Sequence, residues 1–75
     1  MKEEQFRKIL FLVSQLKSIR QSKKISLKEL ASKSGIGIAT LVRLENNKTT
    51  EPELTTLFRY ANALNINLDL RISDA

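Results

Sequence analysis

Seventy-five residues carrying a net charge of +5 and a pI near 9.9 make one small domain, with a small core and a mild pull toward polyanions. The absence of cysteine removes disulfide and thiolate chemistry, and the absence of histidine removes the commonest general base and metal ligand. No apolar run approaches transmembrane length and no signal peptide precedes the domain, so a cytoplasmic protein is expected, with no membrane partner, no metal and no cofactor.

The first predicted helix runs from Glu3 to about Arg20 or Ser22. Phe6, Ile9, Leu10, Val13, Leu16 and Ile19 recur at helical spacing, with acids at the start and bases toward the end. Phe6, Leu10, Phe11 and Leu12 exceed what a small domain needs. They either cover the base of its own core or seek a partner. Lys17, Arg20, Lys23, Lys24, Lys28 and Lys33 cluster in the next stretch, opposed there only by Glu29. Such a run is either a solvated face or an anion-facing one.

Ser26 followed by Glu29 is a capping box and starts a second helix, Leu27 to Ser34. From Ala31 onward the spacing Ala-x3-Gly-Ile-x4-Leu-x2-Leu unites Ala31, Gly35, Ile36, Leu41 and Leu44. Each residue type meets a geometric demand. Ala31 is small enough for two helices to cross steeply. Gly35 suits a left-handed exit, and the three aliphatics plug the next helix onto the domain. The bland alternative is a generic helical hairpin. The capping box argues for a helix-turn-helix over residues 27–46, whose third helix runs from about Ile38 to Asn46.

With Leu41 and Leu44 inward, Ile38, Ala39, Val42, Arg43 and Asn46 face out. Arg43 suits a guanine edge or a phosphate, and Asn46 an adenine or a phosphate. Ile38, Ala39 and Val42 can only pack on thymine methyl groups. The structural alternatives are that Asn46 caps the helix and that Arg43 pairs with surface acids such as Glu3 or with solvent. Helix starts at Leu27 and Ile38 offer backbone N–H groups to phosphate, with Lys24, Lys28, Lys48, Thr49 and Thr50 nearby in sequence. Glu45 lies where the first helix should cross, and Arg20 is its expected ion-pair partner.

Asn47 is expected to leave the third helix left-handed. A polar loop ends at Pro52, and a fourth helix covers roughly Glu53 to Leu64. Its inward face is expected to carry Leu54, Leu57, Phe58, Ala61 and Leu64, with Asn65 as the stop. Ile66, Leu68, Leu70 and Ile72 then alternate with polar residues, which is strand patterning. A lone strand needs a partner, and the simplest is the same segment of a second copy, in a two-fold ribbon. The alternative for 66–72 is a short fifth helix.

From Leu16 to Leu64 the chain resembles the Xre, or Cro/cI-type, family. The most specific parts are Ser26-Leu27-Lys28-Glu29-Leu30-Ala31, Gly35-Ile36, and Thr40-Leu41-Val42-Arg43-Leu44-Glu45-Asn46. The resemblance implies the family's fold of five short helices with a groove-reading third helix, and an Arg–Glu ion pair carried onto Arg20 and Glu45. The tail from Leu64 to Ile72 is similar to that of HipB antitoxins, whose last helix is replaced by a strand pairing across a dimer. Those proteins repress their own operon and bind a HipA-type kinase toxin. Two positions depart from the family. Leu27 stands where glutamine is usual, and Ile38 where a polar residue is usual.

The expectation is therefore a mostly α, four-helix, lambda-repressor-like helix-turn-helix domain over residues 1–75, with a C-terminal strand over 66–72 pairing across a homodimer. Its expected function is sequence-specific repression at a pseudo-palindromic operator in double-stranded DNA, most simply as the autoregulatory antitoxin of a HipBA-like module. The alternatives are a phage or plasmid regulator without a toxin, and a protein-interaction module on the same scaffold. An enzyme is not expected, because no acids sit at catalytic spacing.

Overall fold

The computed structural model describes residues 3–48 and 51–74. Four helices form, in the order α1 (Glu3–Ser22), α2 (Leu27–Ser34), α3 (Ile38–Glu45) and α4 (Leu54–Ala63). α3 ends one residue before the expected Asn46, and α4 is one residue shorter than expected at each end. α2 packs on both α3 and α4, and α3 packs on α1. The core is Val13 and Leu16 of α1, Leu30 of α2, Ile36, Leu41 and Leu44 around α3, and Leu57, Tyr60, Ala61 and Leu64 around α4.

The helix ends follow from local chemistry. Ser26 accepts a hydrogen bond from the Glu29 N–H at 3.0 Å and so caps α2. Gly35 closes α2 at φ 74°, with its N–H donating to the Ala31 carbonyl. Ser34 Oγ accepts from the Ile36 N–H at 3.1 Å and braces the turn on its far side. The other three helices close through paired six-to-one and five-to-two backbone bonds around a left-handed residue. For α3 that residue is Asn47, at φ 59°, and the Lys48 N–H reaches the Arg43 carbonyl at 2.9 Å. For α4 it is Asn65, also at φ 59°, and the Ile66 N–H reaches the Ala61 carbonyl at 3.1 Å. Both asparagines match expectation. α1 closes on Lys24, at φ 58°, which nothing in the sequence pattern signals.

Two expectations about packing need correction. The inward row of α4 includes Tyr60, which is wholly buried, while Leu54 is half exposed and Phe58 only partly buried. The surplus apolar residues of α1 divide between the two readings offered for them. Leu12 packs on the core, Phe6 and Leu10 are half-buried, and Phe11 is 65% exposed.

The tail differs most from expectation. Residues 66–74 form neither helix nor strand, and no strand occurs among the described residues. Ile66 and Leu68 pack against the chain's own core, whereas Leu70 and Ile72 are exposed. The dimerisation row Ile66, Leu68, Leu70 and Ile72 is thus split in the single chain. The physical reason is that a strand exists only through a neighbour's backbone groups. Moreover, the Ile66 N–H is already engaged by the α4 cap. Asp69 and Arg71 are exposed, with a carboxylate oxygen and Nε 3.4 Å apart.

Gly35→Ala should lower stability by about 1–2 kcal/mol through left-handed strain alone, because open space surrounds the added Cβ. Lys24→Gly, at a similar φ, should lose nothing and is expected to gain up to about 1 kcal/mol. Urea midpoints of the two variants should therefore move in opposite directions, or at least differ by that margin.

Candidate nucleic-acid interface

Leu41 and Leu44 anchor α3 from below, and Glu45 is also buried. Ile38, Ala39, Val42, Arg43 and Asn46 are all exposed, as the spacing predicted, so the outward face of α3 is free. Arg43 makes no ion pair among the described residues, and Glu3 is engaged by Arg7 at 2.7 Å. Asn46 occupies the cap position of α3 through its backbone, with its side chain exposed.

Gly37 starts α3 in extended backbone and has no side chain to cap with. The first helical bond runs from the Leu41 N–H to the Gly37 carbonyl. The N–H groups of Ile38, Ala39 and Thr40 therefore lack helical acceptors, at the positive end of the helix dipole. At the start of α2 the Leu27 and Lys28 N–H groups are similarly placed, while the Leu27 side chain packs on the core. Lys24 and Lys28 are exposed. Lys48 is exposed too, but its N–H belongs to the α3 cap, so only its ammonium can reach an anion. Thr49 and Thr50, the remaining expected phosphate contacts, lie outside the described residues.

A groove of about 290 Å³ runs beside α3, lined by Thr40, Arg43, Leu44, Glu51, Pro52, Glu53 and Thr56. It adds the exposed Thr40 hydroxyl to the polar groups near the reading face. It also places Glu51 and Glu53 close to Arg43, so the cationic surface has an acidic border on the α4 side. The sequence pattern assigned Glu51 and Glu53 no role here, because linear distance hides their approach, and it assigned Thr40 none although it lies one turn before Arg43 on α3.

Beneath the face lies the expected ion pair, in a larger network. Arg20 Nε donates to Glu45 Oε2 at 2.8 Å, and Arg20 Nη2 donates to Glu45 Oε1 at 2.9 Å. Arg20 Nη1 donates to the Ile25 carbonyl at 2.7 Å. The Tyr60 hydroxyl donates to Glu45 Oε2 at 2.5 Å. One carboxylate thus joins α1, α3 and α4, and the guanidinium also fixes the link from α1 to α2. The bond to Glu45 raises the pKa of Arg20. Burial first, and then the bond to Glu45, pushes the Tyr60 phenol well above its ordinary range. Tyr60 was not anticipated, although it lies three residues after Leu57 and four before Leu64, on their helical face.

Comparison with known proteins agrees with this geometry. The family model described as "Helix-turn-helix" matches residues 16–70. The chain belongs to the helix-turn-helix family. It is 36% identical over 52 residues to "HTH-type transcriptional repressor RghR" of Bacillus subtilis (strain 168), a match covering 69% of this chain. The matched segment spans 38% of that repressor's length. No solved structure matches significantly. Among the described residues, no helix is long and apolar enough to cross a membrane. In this helix-turn-helix domain residues 16–70, the span of the family match, contain both α2 and α3 and the whole Arg20–Glu45–Tyr60 network.

Glu45→Ala leaves the buried Arg20 guanidinium without its counter-charge and Tyr60 without its acceptor. It should destabilise the fold by about 3–5 kcal/mol, read as a lower urea midpoint. Tyr60 is the only tyrosine and there is no tryptophan, so phenolate absorbance reports on it alone. The phenolate band should stay absent well above pH 10 in the folded protein. Its raised pKa contributes stability that is intact below about pH 10 and falls as the pH rises beyond it. Alkaline melting curves should show that decline, and Tyr60→Phe should reduce it.

Proposed function

We propose that this chain is a DNA-binding transcriptional repressor that places α3 in a major groove. The observation that carries this reading is the exposed face of Ile38, Ala39, Val42, Arg43 and Asn46, held by a buried network, with exposed Lys24 and Lys28 at the start of α2 and exposed Lys48 just after α3. The net charge of +5 and the relative named as a transcriptional repressor support it. In this reading the uncapped starts of α2 and α3 and the lysines grip phosphate, and Arg43 and Asn46 meet base edges. The protein acts by binding, with no reaction to catalyse.

The functional unit in this proposal is a homodimer on a pseudo-palindromic operator. Leu70 and Ile72 are exposed, and the backbone beyond Ile66 is neither helical nor sheet-paired, so a second copy can pair with it. Two reading helices about one DNA turn apart would then enter successive major grooves. The similarity of the tail to HipB antitoxins supports a further step: autoregulation within a HipBA-like module, with a HipA-like kinase toxin as protein partner.

Arg43→Ala should weaken binding to DNA selected by the protein by about 1–3 kcal/mol and leave the melting temperature unchanged. Log K should fall against log salt with a slope of about −5 to −7, if a dimer neutralises roughly six to eight phosphates. A flat salt response, or equal losses from Arg43→Ala and Lys33→Ala, would reject this placement of the reading helix.

Leu70→Pro removes a backbone donor and fixes φ in the tail. It should shift sedimentation toward monomer and weaken DNA binding far more than it changes helix content, because two linked half-sites gain effective concentration. Equal sedimentation of wild type and variant would move the dimer contact elsewhere, with Phe11 the leading alternative.

A further inference from the structure

The outward face of α3 is divided by chemistry. Ile38 is 49% exposed and Val42 is 40% exposed, with Ala39 exposed between them. At one-, three- and four-residue spacings they form one apolar stripe along the first turns of the helix. Arg43 and Asn46 follow toward the other end. No acid interrupts this face, because Glu45, the one acid of α3, is buried against Arg20 and Tyr60. Arg43 is the cation of this face, exposed Lys28 and Lys48 belong to α2 and to the chain just after α3, and Glu51 and Glu53 border the face on the α4 side, in the groove they share with Arg43.

An apolar stripe that leads into Arg43, on a chain of net charge +5, suits a polyanion that presents an apolar group. In the major groove, the apolar group that a base pair displays is the C5-methyl of thymine. A cytosine amino group or guanine O6 under Ile38 or Val42 would lose water and gain no partner. The stripe therefore favours thymine by contact and disfavours G·C pairs by desolvation.

We propose that Ile38, Ala39 and Val42 are specificity determinants that read the 5-methyl groups of pyrimidines. This rests on the DNA-binding reading above. The hydrogen-bonding part of recognition falls to Arg43 and Asn46, so each half-site combines a methyl-bearing segment with a shorter hydrogen-bonded one. The stripe also responds to cytosine methylation, because 5-methylcytosine carries the same methyl at the same groove position.

The test begins by selecting bound sequences from a random duplex pool with the full chain. The selected duplex is then prepared with thymine, with deoxyuridine at each thymine in turn, and with cytosine or 5-methylcytosine at the same positions. The expected result is a run of thymines in each half-site and about fourfold weaker binding for each contacted methyl removed. The 5-methylcytosine duplex should bind more tightly than its cytosine counterpart. The double variant Ile38→Ser, Val42→Ser, shown to be folded by circular dichroism, should lose the preference for thymine over deoxyuridine. Selected DNA that binds equally with thymine and deoxyuridine would overturn the methyl-reading proposal and leave the DNA-binding reading intact. A pool that yields no enriched sequence would overturn both and leave the stripe as a protein-docking face.

Discussion

The buried Glu45 carboxylate is the point on which this small domain turns. Its two oxygens accept from the guanidinium of α1, and one accepts as well from the phenol of α4. Bidentate pairing fixes orientation as well as distance. An apolar contact of equal area would allow α3 to slide or roll by fractions of an ångström. The carboxylate network does not, because any shift leaves a buried charge or hydroxyl unpaired. The network is complete, with no buried side-chain polar atom lacking a partner among the described residues. The same residue that orients α3 is also its only acid, so burying it removes a negative charge from the outward face.

Much of this was legible in the residue pattern. Ser26, Gly35, Asn47 and Asn65 each have a backbone preference strong enough to mark a helix end without tertiary help. Leu41 and Leu44 oriented α3 correctly, because an eight-residue helix with two inward leucines leaves little choice of face. Arg20 and Glu45 could be paired because their helices had to cross. What escaped notice depends on three-dimensional context. Lys24 is left-handed because Ile25 must turn back to cap α1, and lysine has no intrinsic liking for that state. Tyr60 is polar enough to suggest a surface until its one acceptor is known. Glu51 and Glu53 stand eight and ten residues from Arg43 in sequence, and only the fold brings them to the same groove.

The tail shows a different limit. Alternation set Asn67, Asp69 and Arg71 on an outward row, and all three are exposed, but Leu70 and Ile72 of the opposite row are exposed too. Alternation cannot say whether a hydrogen-bonding neighbour is present. In the single chain, burial of Ile66 and Leu68 competes with ribbon formation for the first residues of the segment. The pattern describes a capacity of the backbone, and the state adopted depends on what is near it.

The engaged Ile66 N–H carries a consequence for mechanics. The cap of α4 runs directly into the tail, and the next two inward side chains, Ile66 and Leu68, rest on the core. Only Ile66 to Leu68 lie between the cap of α4 and the exposed part of the tail. A flexible tether lets two bodies sample many separations, whereas a strut welded at a helix end transmits direction. Anything that grips the chain beyond Leu68 is therefore held at a set angle to α4, and through Tyr60 and Glu45 to α3. Two such bodies joined tail to tail would behave as a caliper of fixed gap, tolerant of little change in the distance between the sites they span.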